Sequence, residues 1–133
     1  MTPIERVQQM YGAFGRGDIP AILDALADDV DWEYNAFPHP APWLQPRKGR
    51  AEVAKFFESL AAVQFTQFEP KHFFADGNMV VSVIDETFTV KATGKTVVEP
   101  EAIHIWHFNA AGKVAKMRHR ADTLQHAQAL KGD

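Results

Sequence analysis

Three runs in the second half of the chain constrain its fold more than any other feature. Residues 79–91, 96–109 and 114–122 each alternate apolar with polar side chains, and short turns, Ala92-Thr93-Gly94-Lys95 and Ala110-Ala111-Gly112, separate them. A period of two places successive side chains on opposite faces of a strand, so each run predicts a long strand with one face buried. The glycine-bearing turns join consecutive strands as hairpins. Asp76-Gly77-Asn78 predicts a further hairpin, fed by His72-Phe73-Phe74 and by an alternating run at Phe65, Gln67 and Glu69. Pro70 and Pro100 mark a bend and an edge or bulge.

The first half follows a different period. Ile4, Val7, Tyr11 and Phe14 recur at steps of three and four, which predicts a helix over 3–16 ended by Gly15 and Gly17. Asp18 then serves as an N-cap and Pro20 falls in the first turn of a short second helix carrying Ile22, Leu23 and Leu26. Val30, Trp32 and Tyr34 alternate with acids and predict a strand. Residues 36–49 hold four prolines, Pro38, Pro40, Pro42 and Pro46, and read as an irregular loop, although Phe37, His39 and Trp43 are unusual in a plain connection. Val53, Phe56, Phe57, Leu60 and Val63 restore the helical period over 50–63, and residues 124–130 predict a terminal helical turn.

Helices at the front and hairpin-linked strands at the back predict an α+β fold: a cone-shaped, curved, mixed but mostly antiparallel sheet packed against three helices from the N-terminal half. With 133 residues the chain is expected to form one domain, spanning 1–133. Ten Phe, three Trp and two Tyr are more rings than a small core demands, and a cone has an open end where they can line a pocket. The absence of cysteine excludes disulfides, thiol nucleophiles and Cys-ligated metal centres. A net charge of −3 argues against non-specific nucleic-acid binding. No run reaches the length of a membrane span and the N-terminus lacks a signal-peptide pattern, so a cytoplasmic protein is expected. No phosphate-cradling glycine loop is present, so no nucleotide cofactor is expected.

Several segments, in this order, resemble the nuclear transport factor two-like superfamily, in its SnoaL-like branch of polyketide cyclases and ketosteroid-isomerase-like proteins. They are YGAFGRGD at 11–18, ILDALADDVDW at 22–32, KGRAEVAKFF at 48–57, FADGNMVV at 74–81, AIHIWHFNAAGKV at 102–114 and RHRADT at 118–123. The resemblance implies the cone of the cystatin-like α+β barrel kind. It does not imply one reaction, because the fold hosts isomerases, cyclases, epoxide hydrolases, dehydratases and non-catalytic proteins.

It also implies where the site lies. The oxyanion-hole aspartate of ketosteroid isomerases falls at His104, their catalytic base at Tyr34, and their helix-one tyrosine at Met10-Tyr11. SnoaL-like cyclases use a His and an Asp on neighbouring strands. His104 matches the first, and Asp122 is the nearest acid on the last strand, with a parity that turns it from His119.

If His104 points inward, strand parity sends Ala102, Trp106 and Phe108 the same way, together with Met117, His119 and Ala121 on the last strand and Ile84, Glu86 and Phe88 on the middle one. His104, His119, Glu86 and Tyr34 are therefore the expected catalytic groups, as acids, bases and donors at neutral pH. Tyr11, Phe14, Trp32, Trp43, Phe56, Ile84, Phe88, Trp106 and Met117 are the expected binding wall. His107 faces away from His104, so the two do not chelate, and no metal is expected. Lys116, Arg118 and Arg120 fall on the outer face, where Asp85 or Glu99 are expected to pair with them. Val81, Val83, Ile103 and Ile105 make that face apolar enough to expect a homodimer through it. The expected function is acid–base chemistry (isomerase, cyclase, dehydratase or hydrolase) on a hydrophobic oxygenated small molecule. The alternatives are a non-catalytic domain that binds such a ligand in the same cavity, and an interaction domain whose cone is filled by its own side chains.

Overall fold

Helix α1 (Pro3–Gly15) starts where its capping residues dictate. The Thr2 hydroxyl accepts from the Glu5 amide at 3.1 Å and the Glu5 carboxylate accepts from the Thr2 amide at 3.0 Å, a reciprocal capping box with Pro3 in the first turn. Its apolar stripe buries Val7, Met10 and Ala13. Helix α2 (Ile19–Asp24) is capped by the Asp18 carboxylate, which accepts from the Ala21 amide at 3.2 Å. The computed structural model describes residues 1–33 and 37–132.

The chain continues as β1 (Leu26–Glu33), a 3-10 turn at Pro42–Leu44, β2 (Arg47–Lys48), α3 (Arg50–Ser59) with a 3-10 extension at Leu60–Ala62, β3 (Val63–Asp76), β4 (Met79–Val90), β5 (Thr96–Phe108), β6 (Val114–Arg120) and α4 (Thr123–Leu130). One six-stranded sheet runs in the order β2-β1-β6-β5-β4-β3. Among the described residues only the β1–β6 pair is parallel. The sheet is not closed. The helices that the periodicity predicts are present, and the predicted break at Pro70 is a register shift inside a continuous β3. Gly77, at φ 59°, supplies the left-handed residue that the β3–β4 hairpin requires. The first strand begins at Leu26, earlier than the alternation at Val30 implies, because its register against β6 shifts between Leu26 and Asp31.

One irregularity decides the site. Opposite Ile84 stands Ala102, but opposite Glu86 stands Glu99, so β5 carries an extra residue at Pro100-Glu101. Glu101 takes a left-handed φ of 60°, and its amide donates to the Asp85 carboxylate at 3.0 Å. On either side of this bulge the same face points inward: Ala102, His104, Trp106 and Phe108 after it, Val97 and Glu99 before it. Asp85→Ala removes the acceptor that closes the bulge. We expect it to cost about 1 kcal/mol of stability, measured by urea unfolding.

The bulge overturns one sequence expectation. Glu99 is not an outer-face partner for the basic strand; it is 4% exposed, inside the cone. Arg118 and Arg120 of β6 pair instead with β1. Arg118 meets the Asp31 carboxylate at 3.1 Å and Glu33 at 3.6 Å, and Arg120 meets Glu33 at 3.3 Å. The parallel β1–β6 pairing places these acids beside them, a neighbour relation that hairpin reasoning does not reveal.

Candidate functional site

Register lines up the polar groups in rows across the sheet. Ser82 on β4, His104 on β5 and His119 on β6 stand directly opposite one another. The next row is Val80, Trp106, Met117 and Trp32. On the other side, beyond the bulge, Glu86 faces Glu99. The helices close over these rows, and α1 delivers Tyr11 onto the first of them.

Tyr11 Oη lies 2.5 Å from Ser82 Oγ and 2.7 Å from His104 Nδ1. The Trp106 indole N–H donates to Ser82 Oγ at 3.2 Å. The His104 and His119 rings are 5.4 Å apart, and His119 Nε2 lies 3.8 Å from the Glu86 carboxylate. A second chain sits behind the first. The Trp43 N–H donates to His126 Nδ1 at 3.0 Å, and His126 Nε2 bonds to the Glu99 carboxylate. An indole N–H can only donate, so His126 carries its proton on Nε2 and gives it to Glu99 as a neutral donor.

Burial governs the electrostatics. Tyr11 is pushed well above the ordinary phenol value, first by burial and with a smaller contribution from the Glu86 charge, so it is a neutral phenol at every physiological pH. His104 is pushed well below the ordinary histidine value by burial and then by His119 beside it. This lowering has a consequence for folding. The unfolded chain takes a proton on His104 at about pH 6.5, while the folded chain refuses it until lower pH. Stability is therefore complete above about pH 6.5 and falls as the pH drops below it, by up to about 1.4 kcal/mol per pH unit from this group. Urea midpoints compared at neutral and mildly acidic pH should show this slope, and His104→Gln should flatten it.

The space in front of these groups is tight and greasy. The cavity volume is about 60 Å³, several times what one water requires. Tyr11, Phe14, Trp32, Trp43, Phe56, Phe88 and Trp106 all line it, as the sequence implies, and Glu86, His104 and His119 face it. Two expected wall residues do not. Ile84 and Met117 are fully buried but lie behind the wall: Ile84 faces the small Ala102 beside the bulge, and Met117 sits in a row between the longer Trp106 and Trp32. Tyr34 lies outside the described residues.

Three polar groups escape the sequence reading. Ser82 shares the parity of Ile84 and Glu86, so alternation already holds the signal. Glu99 is hidden by the bulge. His126 comes from α4, and no spacing rule links a terminal helix to a sheet row. The loop is fastened to that helix too: His39 accepts from the Ala41 amide at Nδ1 (3.0 Å), so its Nε2 donates to the Thr123 carbonyl at 2.8 Å. Phe37 is exposed.

The comparisons with known proteins agree with this architecture. The SnoaL-like domain model matches residues 7–117. The chain belongs to the SnoaL-like family. Among solved structures, a protein of Burkholderia xenovorans LB400 with an NTF2-like fold is 28% identical, with 97% of this chain and 95% of that one covered and a TM-score of 0.85. An NTF2-like protein of unknown function from Burkholderia pseudomallei K96243 is 24% identical over 99% and 100% of the two chains, with a TM-score of 0.86. TerC, crystallised with polyporic acid, is 22% identical over 96% and 98%, with a TM-score of 0.77. Other solved structures of the same fold bear names such as polyketide cyclase and isomerase. No curated protein matches the chain. No helix among the described residues is long and apolar enough to cross a membrane.

Proposed function

We propose that this SnoaL-like protein catalyses proton transfer on a small, hydrophobic, oxygen-bearing molecule held in the aromatic cavity. The observation that carries the reading is His104, buried in the cavity wall with its Nδ1 2.7 Å from a phenol that stays neutral. Hydroxyl rotation lets this arrangement serve both halves of a proton transfer without moving a heavy atom. When Ser82 donates to Tyr11 and Tyr11 donates to Nδ1, the imidazole carries its proton on Nε2 and donates a hydrogen bond from there. When Nδ1–H donates to Tyr11 and Tyr11 donates to Ser82, Nε2 is a base. Trp106 holds Ser82 in place in both arrangements.

A base of lowered proton affinity returns the proton readily, which suits a shuttle between two positions of one substrate: isomerisation, cyclisation or dehydration. His119, with Glu86 behind it, is placed to hold a substrate oxygen and to offset the imidazolium formed in passing. The aromatic walls supply non-polar contact. TerC's crystallisation with polyporic acid supports an oxygenated organic ligand for this fold.

The test is a native mass-spectrometric screen of hydroxylated and carbonyl-bearing aromatic compounds, followed by deuterium incorporation into each bound compound. One-to-one binding with protein-dependent exchange of an acidic C–H supports the proposal. Binding without exchange would instead assign the cavity to a ligand carrier.

A further inference from the structure

Beside the His104 chain stands a second cluster, which shares His119 and Glu86 with the proton transfer proposed above and adds Glu99. Glu86 and Glu99 face each other across β4 and β5, 6% and 4% exposed. Their carboxylates and the His119 imidazole each present a ligand atom, and the three atoms lie within 4.8 Å of one another. Among the described residues, no Lys or Arg lines the cavity. Glu99 is served by neutral donors: His126 Nε2–H on one oxygen and the Asp122 amide on the other at 3.4 Å. The proton position that Trp43 fixes on His126 means that this partner brings a hydrogen bond and no charge. The Glu86 carboxylate makes no hydrogen bond among the described residues. His119 Nε2 lies 3.8 Å from it, beyond hydrogen-bonding reach.

Two carboxyl groups stand close together in a largely apolar cavity, an arrangement that a bound cation would stabilise. We infer that Glu86, Glu99 and His119 bind one divalent first-row transition ion at the back of the cavity. Two oxygens and one imidazole nitrogen suit ions of the Mn²⁺-to-Zn²⁺ range. Metal–ligand bonds of about 2.0–2.2 Å require the three atoms to draw together by about an ångström, within the reach of side-chain rotation. Trp43 and His126 orient Glu99 from behind, as outer partners of metal-bound groups do. Three protein ligands leave coordination positions for a ligand oxygen, as in catalytic zinc sites. The ion takes over the oxygen-holding role given above to His119 and Glu86. It goes beyond that reading, because His104 and Tyr11 are not among its ligands.

The experiment uses the full chain, stripped with a chelator, and two probes. Zn²⁺ is titrated calorimetrically, and Co²⁺ is followed by its visible ligand-field absorption. The expected result is one ion per chain, with affinity lowered more than about tenfold in Glu86→Gln and in Glu99→Gln. Trp43→Phe, which removes only the outer hydrogen bond, should lower it about 10–100-fold. His119→Gln should change the Co²⁺ spectrum, and His107→Asn on the outer face should change nothing. Circular dichroism confirms that each variant folds. Wild-type protein that takes up neither ion overturns the inference, whatever the variants do. Uptake that both carboxamide variants leave unchanged overturns it as well. A Glu86→Gln protein that is more stable than the wild type, with no ion bound by either, would show that the two carboxylates share a proton instead.

Discussion

His104→Gln should lower turnover of a cavity-bound substrate by about 10²–10⁴-fold, with ligand affinity changed by no more than a few-fold. Glutamine keeps much of the side-chain length and can still meet the Tyr11 hydroxyl, but its amide neither takes nor gives a proton at neutral pH. The loss should therefore fall on kcat and spare KM, the pattern of an interaction made in the transition state. Tyr11→Phe separates proton transfer from packing. The ring contacts with Phe68, Phe73 and Trp106 survive, while the bonds to Ser82 and His104 go. A smaller kcat loss is expected there, with an altered pH profile, since His104 then lacks the partner that accepts from or donates to Nδ1. Ser82→Ala should follow Tyr11→Phe in kind and be weaker, because its hydroxyl is linked to His104 Nδ1 by way of the Tyr11 hydroxyl.

Trp43→Ala carries the largest expected cost in stability. Trp43 is 3% exposed in a 3-10 turn of the proline-rich loop, with its ring edge-on to Phe88 at 5.8 Å and its N–H on His126. Truncation opens a large cavity and strips a hydrogen bond from a buried imidazole. The two effects together should cost about 3–5 kcal/mol, or about 10–20 °C in Tm. Trp43→Phe keeps most of the volume and should cost only about 1–3 kcal/mol, the penalty for leaving His126 Nδ1 without its donor. Hydrogen exchange should show α4 losing protection first in the alanine variant, because Trp43 and His39 both hold the loop to that helix.

Much of this architecture is legible in the residues. Alternation over β4, β5 and β6 places Glu86, Phe88, His104, Trp106 and His119 on one face, and the structure puts all five on the cavity. Helical spacing sends Tyr11 and Phe14 to the same side. The reading loses its hold where the period breaks. Alternation counted back from His104 sends Glu99 outward, and only the extra residue at Pro100-Glu101 turns it in. Pro100 marks a place where pairing can fail, but a proline does not state how many residues are inserted. The contacts of His126 with Glu99, and of Arg118 with Asp31, join segments far apart in sequence. They depend on how α4 folds back and on the parallel β1–β6 pairing, neither of which leaves a local trace. Ile84 and Met117 show a further limit: parity gives the face of a sheet, but the depth of a side chain in a cavity depends on the size of its row neighbours.

The central claim is that a neutral, buried His104, held by Tyr11, is the proton-handling group of the cavity. Long-range nitrogen-15 spectra of the imidazole side chains, recorded from neutral pH down to about pH 5, read it directly. The account predicts that His104 stays neutral throughout that range in the wild type, and that the proton balance between its two nitrogens shifts in Tyr11→Phe. A His104 that takes its proton near the ordinary histidine value of about 6.5, with spectra indifferent to Tyr11, would contradict it.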